Sequence, residues 1–205
     1  MKKIYLVNEN KSQVLFEYSE ISELREELES RRITIENNAT IGNFATIGNN
    51  ATIGNSSIIG NSSTIGNSSI IGNFATIENN ATIGNFATIG NSSTIGNFAT
   101  IGNSSIIGNS STIGDLAIIG DLAKIGDLAK IGEDIELKFN LYMKGSAHPV
   151  TYTGNNTLSI GCMNYTIEKW LQDFENIGIN AAYNKNQIEE YKQYILIAQQ
   201  FSKIK

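Results

Sequence analysis

The 205-residue chain has a formal charge of −5 and contains one His, one Cys and one Pro. The charge divides into −1 over residues 1–34, −5 over 35–135 and +1 over 136–205, which leaves no basic stripe for a nucleic-acid polymer. The lone Cys162 has no internal disulfide partner, no apolar run is long enough to span a membrane, and MKKIYLVNENKSQ lacks the apolar core of a signal peptide. A cytoplasmic protein is the expectation.

Residues 1–34 read as a cap. IYLV and QVLFEY alternate as the strands of a hairpin do, and SEISELREELESRR reads as a helix. Its Ile21, Leu24 and Leu28 make a narrow apolar stripe suited to covering the end of whatever follows.

Residues 35–135 are a repeat. Ile recurs at every sixth position from Ile35 to Ile131 in the unit Ile-Gly-Asn-x-[Ala/Ser]-[Thr/Ile/Lys]. Six is even, so in extended chain each hexad returns its side chains to the same face. With Ile inward, the residue two before it also points in (Ala45, Ser57, Ala75, Ser93), and the one between points out (Thr46, Thr76, Thr94). Gly-Asn is expected to supply the corner, since both residues tolerate positive φ. A helix fails on period, and a Gly in every hexad would cost it roughly 1 kcal/mol each against Ala. Gly/Asn/Ser-rich tracts are often unfolded, but a linker has no reason to hold one bulky apolar residue in register.

The unit resembles that of the hexapeptide-repeat family, whose chains wind a left-handed parallel β-helix with three strands per turn. The resemblance implies a β-helix over 35–135; with the small N-terminal α/β cap and a C-terminal α+β module over 136–205 read from their own residues, the expected fold is mainly β. At a strand spacing of about 4.8 Å, the prism would be about 27 Å long. It also implies a homotrimer, and Phe44, Phe74, Phe86, Phe98, Leu116, Leu122 and Leu128, at one position of their hexads, are apolar groups that subunit contacts would cover.

In residues 136–205, LKFNLYMKG, VTYTG and LSIGC read as three short strands. TIEKWLQDFENIG follows as a helix with Ile167, Trp170, Leu171, Phe174 and Ile177 on one face. A second helix opens at Asn184, capped with Gln187, and buries Ile188, Tyr191, Ile195 and Ala198. The stretch GSAHPVTYTGNNTLSIGCMNYTIEKWL resembles a small domain of bacteriophage and prophage proteins at Gly145, His148, Tyr152, Gly154, Ile160-Gly161-Cys162, Thr166-Ile167 and Trp170-Leu171. That domain carries a His after the Cys. Met163, Asn164 and Tyr165 stand there instead, which weakens the case for a site built on paired histidines.

Chemistry is sparse. Hexapeptide-repeat acyltransferases place a catalytic His on the coil, and residues 35–135 contain none. The family's carbonic anhydrases need three His ligands, and this chain has one. Asp115, Asp121 and Asp127 fall on three different corners, while Asp115 and Glu133 stack on one; these read as solvated turn carboxylates. No catalytic residue, metal or cofactor is assigned. His148 reads as a turn residue or a base, and Cys162 as a small buried thiol. The expectation is a non-catalytic oligomeric scaffold, phage- or prophage-encoded, that recognises a host protein through its C-terminal module. The first alternative is sequestration of a small anionic ligand, such as a signalling nucleotide of the host, at protomer junctions, with Lys138, Lys144, His148 and Tyr152 as contacts. The second is a hexapeptide-repeat acyltransferase.

Overall fold

Two residues suffice for a strand where both edges are paired, and each hexad supplies just that. The computed structural model describes residues 1–8, 10–137 and 141–203. It is a parallel β-solenoid of about six turns. One face stacks Ala45–Ile47, Thr64–Ile65, Thr82–Ile83, Thr100–Ile101, Ile118–Ile119 and Glu136–Leu137. The second runs from Thr40–Ile41 to Lys130–Ile131, and the third from Thr34–Ile35 to Lys124–Ile125. Rungs pair in register eighteen residues apart, as in Thr76↔Thr94 and Ile77↔Ile95.

The interior is the expected one. Ile41 to Ile131 are buried at every sixth position, and from Ala45 to Ala129 the Ala and Ser of the preceding alternate position are buried beside them. Ser is accepted because its hydroxyl finds a backbone carbonyl: Ser63 Oγ donates to Glu78 O at 2.6 Å and Ser69 Oγ to Gly84 O at 2.7 Å in the next coil, and Ser57 Oγ to Gly54 O at 2.7 Å in its own. A buried hydroxyl without that bond would cost a desolvation penalty.

The corner differs from expectation. Positive φ falls not on the Gly-Asn pair but on the residue that follows it, for example Phe44 (61°), Asn50 (59°), Ser56 (55°) and Phe86 (58°), and on Leu122 (60°) after Gly120-Asp121. Gly is required for clearance instead. A Cβ on Gly66 would lie 2.6 Å from both Asn85 N and Gly84 C in the next coil, closer than carbon can approach backbone. Asn bridges the same coils: the Asn61 amide donates to Asn79 Oδ1 and the Asn67 amide to Asn85 Oδ1, at 2.8 and 2.7 Å.

Glu78 occupies a glycine position and shows what a side chain there does. The adjoining ladder bond, Asn79 N to Asn97 Oδ1, lengthens to 3.2 Å, and the Glu78 carboxylate recovers part of the loss by accepting from Asn97 Nδ2. The coil can therefore open slightly. Gly66→Ala, with no such carboxylate, is expected to lower stability by about 1–3 kcal/mol without unfolding the protein, as read by thermal melting followed by circular dichroism.

Both ends are covered. Strands Lys2–Val7 and Gln13–Tyr18 form an antiparallel hairpin whose first strand pairs parallel with Ala45–Ile47. A short 3-10 turn, Ile21–Leu24, leads into α1 (Arg25–Ser30), and Leu24 and Leu28 join the solenoid core. At the other end, Tyr142–Lys144, Pro149–Gly154, Thr157–Ile160 and Met163–Thr166 make an antiparallel sheet in chain order. Met163–Thr166 is a strand absent from the sequence expectation, and Leu137, read there as the start of a C-terminal strand, pairs with Ile119 in the solenoid. α2 (Ile167–Asn180) and α3 (Lys185–Phe201) pack on the sheet around Val150, Leu158, Ile160, Trp170, Tyr191 and Ile195. Trp170 Nε1 donates to Leu158 O at 2.7 Å.

The sheet meets backbone that the last coil would otherwise leave unpaired. Gly126 N donates to Thr151 Oγ1 at 3.0 Å, and Asn164 Nδ2 donates to Lys130 O at 3.2 Å. Gly154 passes so close that a Cβ would sit 2.7 Å from Ile135 Cγ2. Among the described residues no helix is long and apolar enough to cross a membrane.

Candidate functional site at the C-terminal end of the solenoid

Where the last rung of one solenoid face meets the C-terminal sheet, the two leave a cleft of about 330 Å³. Lys124 and Asp127 line it from the coil; Tyr142, Lys144, Ser146 and His148 line it from the segment opposite. Pro149 packs over Gly126, where a Cβ would come within 2.8 Å of the proline ring. Lys124 Nζ lies 4.6 Å from the centroid of the Tyr142 ring, so the wall carries a cation held over an aromatic face.

His148 is the chain's single histidine. It is exposed and stands in the bend between Lys144 and Pro149. Its imidazole lies against Gly161, where a Cβ would come 3.0 Å from His148 Cγ, and its centroid is 5.8 Å from that of the Tyr183 ring. Gly161 also has φ of +58°, so this hairpin position calls for glycine on both counts.

The bend is tied to α3 by hydrogen bonds. Tyr191 Oη accepts from Ala147 N at 3.0 Å and from His148 N at 2.6 Å, and donates to His148 O at 2.9 Å. Glu190 takes the Ser146 amide at 2.8 Å and the Ser146 hydroxyl. The Ser146 hydroxyl holds the Glu190 carboxyl below the usual carboxylate range, against a smaller opposing effect of burial. Burial, then the neighbouring Tyr191, pushes the Tyr183 phenol well above its ordinary value.

Of the four ligand contacts expected from sequence, the structure brings His148 and Lys144 to one cleft. Tyr152 lies apart from them: its ring packs between the solenoid end and the second core, edge-on to Phe201 at 5.4 Å. Lys138 lies outside the described residues. Cys162 is exposed rather than buried, because it occupies the turn between Thr157–Ile160 and Met163–Thr166. Sequence reasoning took Tyr191 as core and missed its hydroxyl; no local signal links it to a bend more than forty residues earlier.

The turn carboxylates have a structural use. Asp115, Asp121 and Asp127 replace Asn as ladder acceptors, taking the amides of Asn97, Asn103 and Asn109 at 2.7, 2.6 and 2.6 Å. Among the described residues no three His, Cys, Asp or Glu side chains gather closely enough to hold a metal ion.

Comparison with known proteins bears on the solenoid. Residues 30–119 match the family model of the GMPPB C-terminal domain. A variant of GDP-perosamine N-acetyltransferase from Caulobacter crescentus, solved with CoA and GDP-perosamine, is similar with a TM-score of 0.50 at 14% identity, over 56% of this chain and 60% of that one. The acetyltransferase domain of PglB from Neisseria gonorrhoeae is 21% identical over 50% of this chain and 52% of that one, with a TM-score of 0.38. UDP-N-acetylglucosamine acyltransferase from Campylobacter jejuni is 16% identical over 78% of this chain and 80% of that one, with a TM-score of 0.23. The chain thus spans 60% of the first of these and about half of the second. No curated protein matches it in sequence.

At these identities the likeness is one of fold. The expectation of a non-catalytic scaffold with phage-type recognition, together with its ligand-sequestering alternative, is overturned: the solved structure that aligns with a TM-score of 0.50 is an N-acetyltransferase, and the family model matched over residues 30–119 is that of the GMPPB C-terminal domain.

Proposed function

Starting from a chain that is a hexapeptide-repeat β-solenoid protein, we propose that it is an acyltransferase whose reactive site lies in the cleft at the C-terminal end of the coil. His148 is its general base. The donor is an acyl thioester of the acetyl-CoA class, and the acceptor carries an amine or hydroxyl. The observation that carries this reading is that the one imidazole of the chain stands exposed in the lining of that cleft. A fold shared with an N-acetyltransferase that binds CoA and GDP-perosamine supports it.

The chemistry needs little else. An imidazole nitrogen of His148 takes the proton from the acceptor N–H or O–H as that atom bonds to the thioester carbonyl carbon. The C–S bond then breaks, and the departing thiolate recovers the proton from the imidazolium. Lys144, and Lys124 from the coil, bring positive charge to the cleft wall for a donor rich in phosphate. A cleft of about 330 Å³ is at the small end for ligand sites, so it holds the reacting ends and leaves the remainder of the donor on the outer face of the coil. The assembly is a homotrimer, in which Phe98 and Leu116, exposed one coil apart on one corner, pack between protomers.

The test is thiol release from acetyl-CoA in the presence of amine- and hydroxyl-bearing sugars, free and nucleotide-linked, with wild type beside His148→Ala. Release by wild type that vanishes in the variant is the expected result. Release no faster than in buffer, or equal in both proteins, ends the reading.

A further inference from the structure

We propose that Tyr191 is the positioning residue of the His148 site, acting through the backbone of the bend and not on the substrate. As a statement about catalysis this rests on the reading above. As a statement about the geometry of His148 it stands without it.

A tyrosine hydroxyl has one proton to give and two lone pairs to receive. Tyr191 uses all three on consecutive residues of one bend: the amides of Ala147 and His148 come in, and its proton goes to the His148 carbonyl. The side chain is 3% exposed, so water does not compete for these bonds. Both backbone groups of His148 thereby end on a single atom carried by a helix.

The same ring controls the imidazole. Tyr191 stacks on Tyr183 at 4.9 Å with an interplanar angle of 26°, and Tyr183 in turn faces the His148 ring at 5.8 Å. Gly161 closes the other side. Backbone and ring of His148 are both referred to α3, which is anchored in the second core by Ile195 and Ala198.

Gly145 completes the device. A Cβ there would fall 2.5 Å from Tyr191 Oη and 2.5 Å from His148 O, so only glycine lets the hydroxyl reach in. A residue that merely filled the core would need none of this clearance.

Tyr191→Phe removes the hydroxyl and keeps the ring and its stacking. Expected are amide hydrogen exchange at Ala147 and His148 faster by about tenfold, with Leu158 and Ile160 amides unchanged. The imidazole resonance, unique because the chain has one His, is expected to broaden or split. Where thiol release is active, kcat falls by about tenfold while KM for acetyl-CoA holds within about twofold. Gly145→Ala, whose added Cβ displaces the hydroxyl while residue 191 stays tyrosine, is expected to reproduce the exchange pattern. Unchanged exchange and imidazole signal in Tyr191→Phe overturn the proposal, and so does a rise at Leu158 and Ile160 matching that at Ala147, which marks general loosening. Absence of thiol release in the wild type removes the acyltransferase reading alone; the exchange and resonance results still decide the role of Tyr191.

Discussion

An Ile83→Asp variant is expected to lose more than about 5 kcal/mol of stability and to be cut by protease within the repeats, while Thr82→Asp stays within about 0.5 kcal/mol of the parent. The two sites are adjacent on one strand. Ile83 is 1% exposed, and its neighbours in register are Ile65 and Ile101. Removing a buried Ile side chain to Ala size already costs about 2–5 kcal/mol, and a carboxylate in the shaft adds a charge with no cation to meet it. Thr82 points outward between Thr64 and Thr100, where the same carboxylate is solvated. Because each coil contacts only its neighbours, damage at Ile83 strikes both of its interfaces and divides the array. Thermal melting and limited proteolysis check the pair. Melting of both variants within about 2 °C of the parent would mean that the Ile column does not hold the coil together.

His148→Ala is expected to slow acyl transfer by about 10²–10⁴-fold, the usual worth of a positioned base, and to leave thermal stability almost unchanged. The side chain is exposed, and the bonds that tie its residue to α3 use backbone atoms that alanine retains. A loss of activity is then a loss of chemistry and not of fold. Lys130→Ala supplies the control: its side chain is exposed on a solenoid face and does not line the cleft, so thiol release should match wild type. Equal rates for all three proteins would end the acyltransferase reading of this cleft.

The solenoid was legible because its information is periodic and local. Six-residue spacing alone sets which side chain points inward, and Ile59, Ile77 and Ile95 lie stacked in one column as that arithmetic requires. The corner was misread for a physical reason. Glycine's freedom at φ is visible from one residue, whereas its role here is to admit the backbone of the next coil, eighteen residues away. The turn carboxylates are legible only in part: Asp121 and Asp127 are exposed in their turns as expected, but their part as acceptors for the Asn103 and Asn109 amides lies with residues eighteen positions away.

The site was legible in part. His148 and Lys144 stand four residues apart and share a cleft wall. The opposite wall comes from the coil at Lys124 and Asp127, and the clamp from Tyr191 and Glu190. Those partners are distant in sequence and are brought together by the docking of the sheet across the last coil, which no local pattern encodes. Tyr191 illustrates the limit well. Its helical spacing marks a core position, and its ring is one; the hydroxyl that holds the bend looks the same in sequence as any other.

Placing the acyl donor beside His148 is tested most directly by titrating CoA into the intact protein while following the single imidazole resonance. Expected is a saturable displacement of that signal with Tm rising as CoA binds. An imidazole that stays fixed at saturating CoA would contradict it and leave the cleft without its ligand.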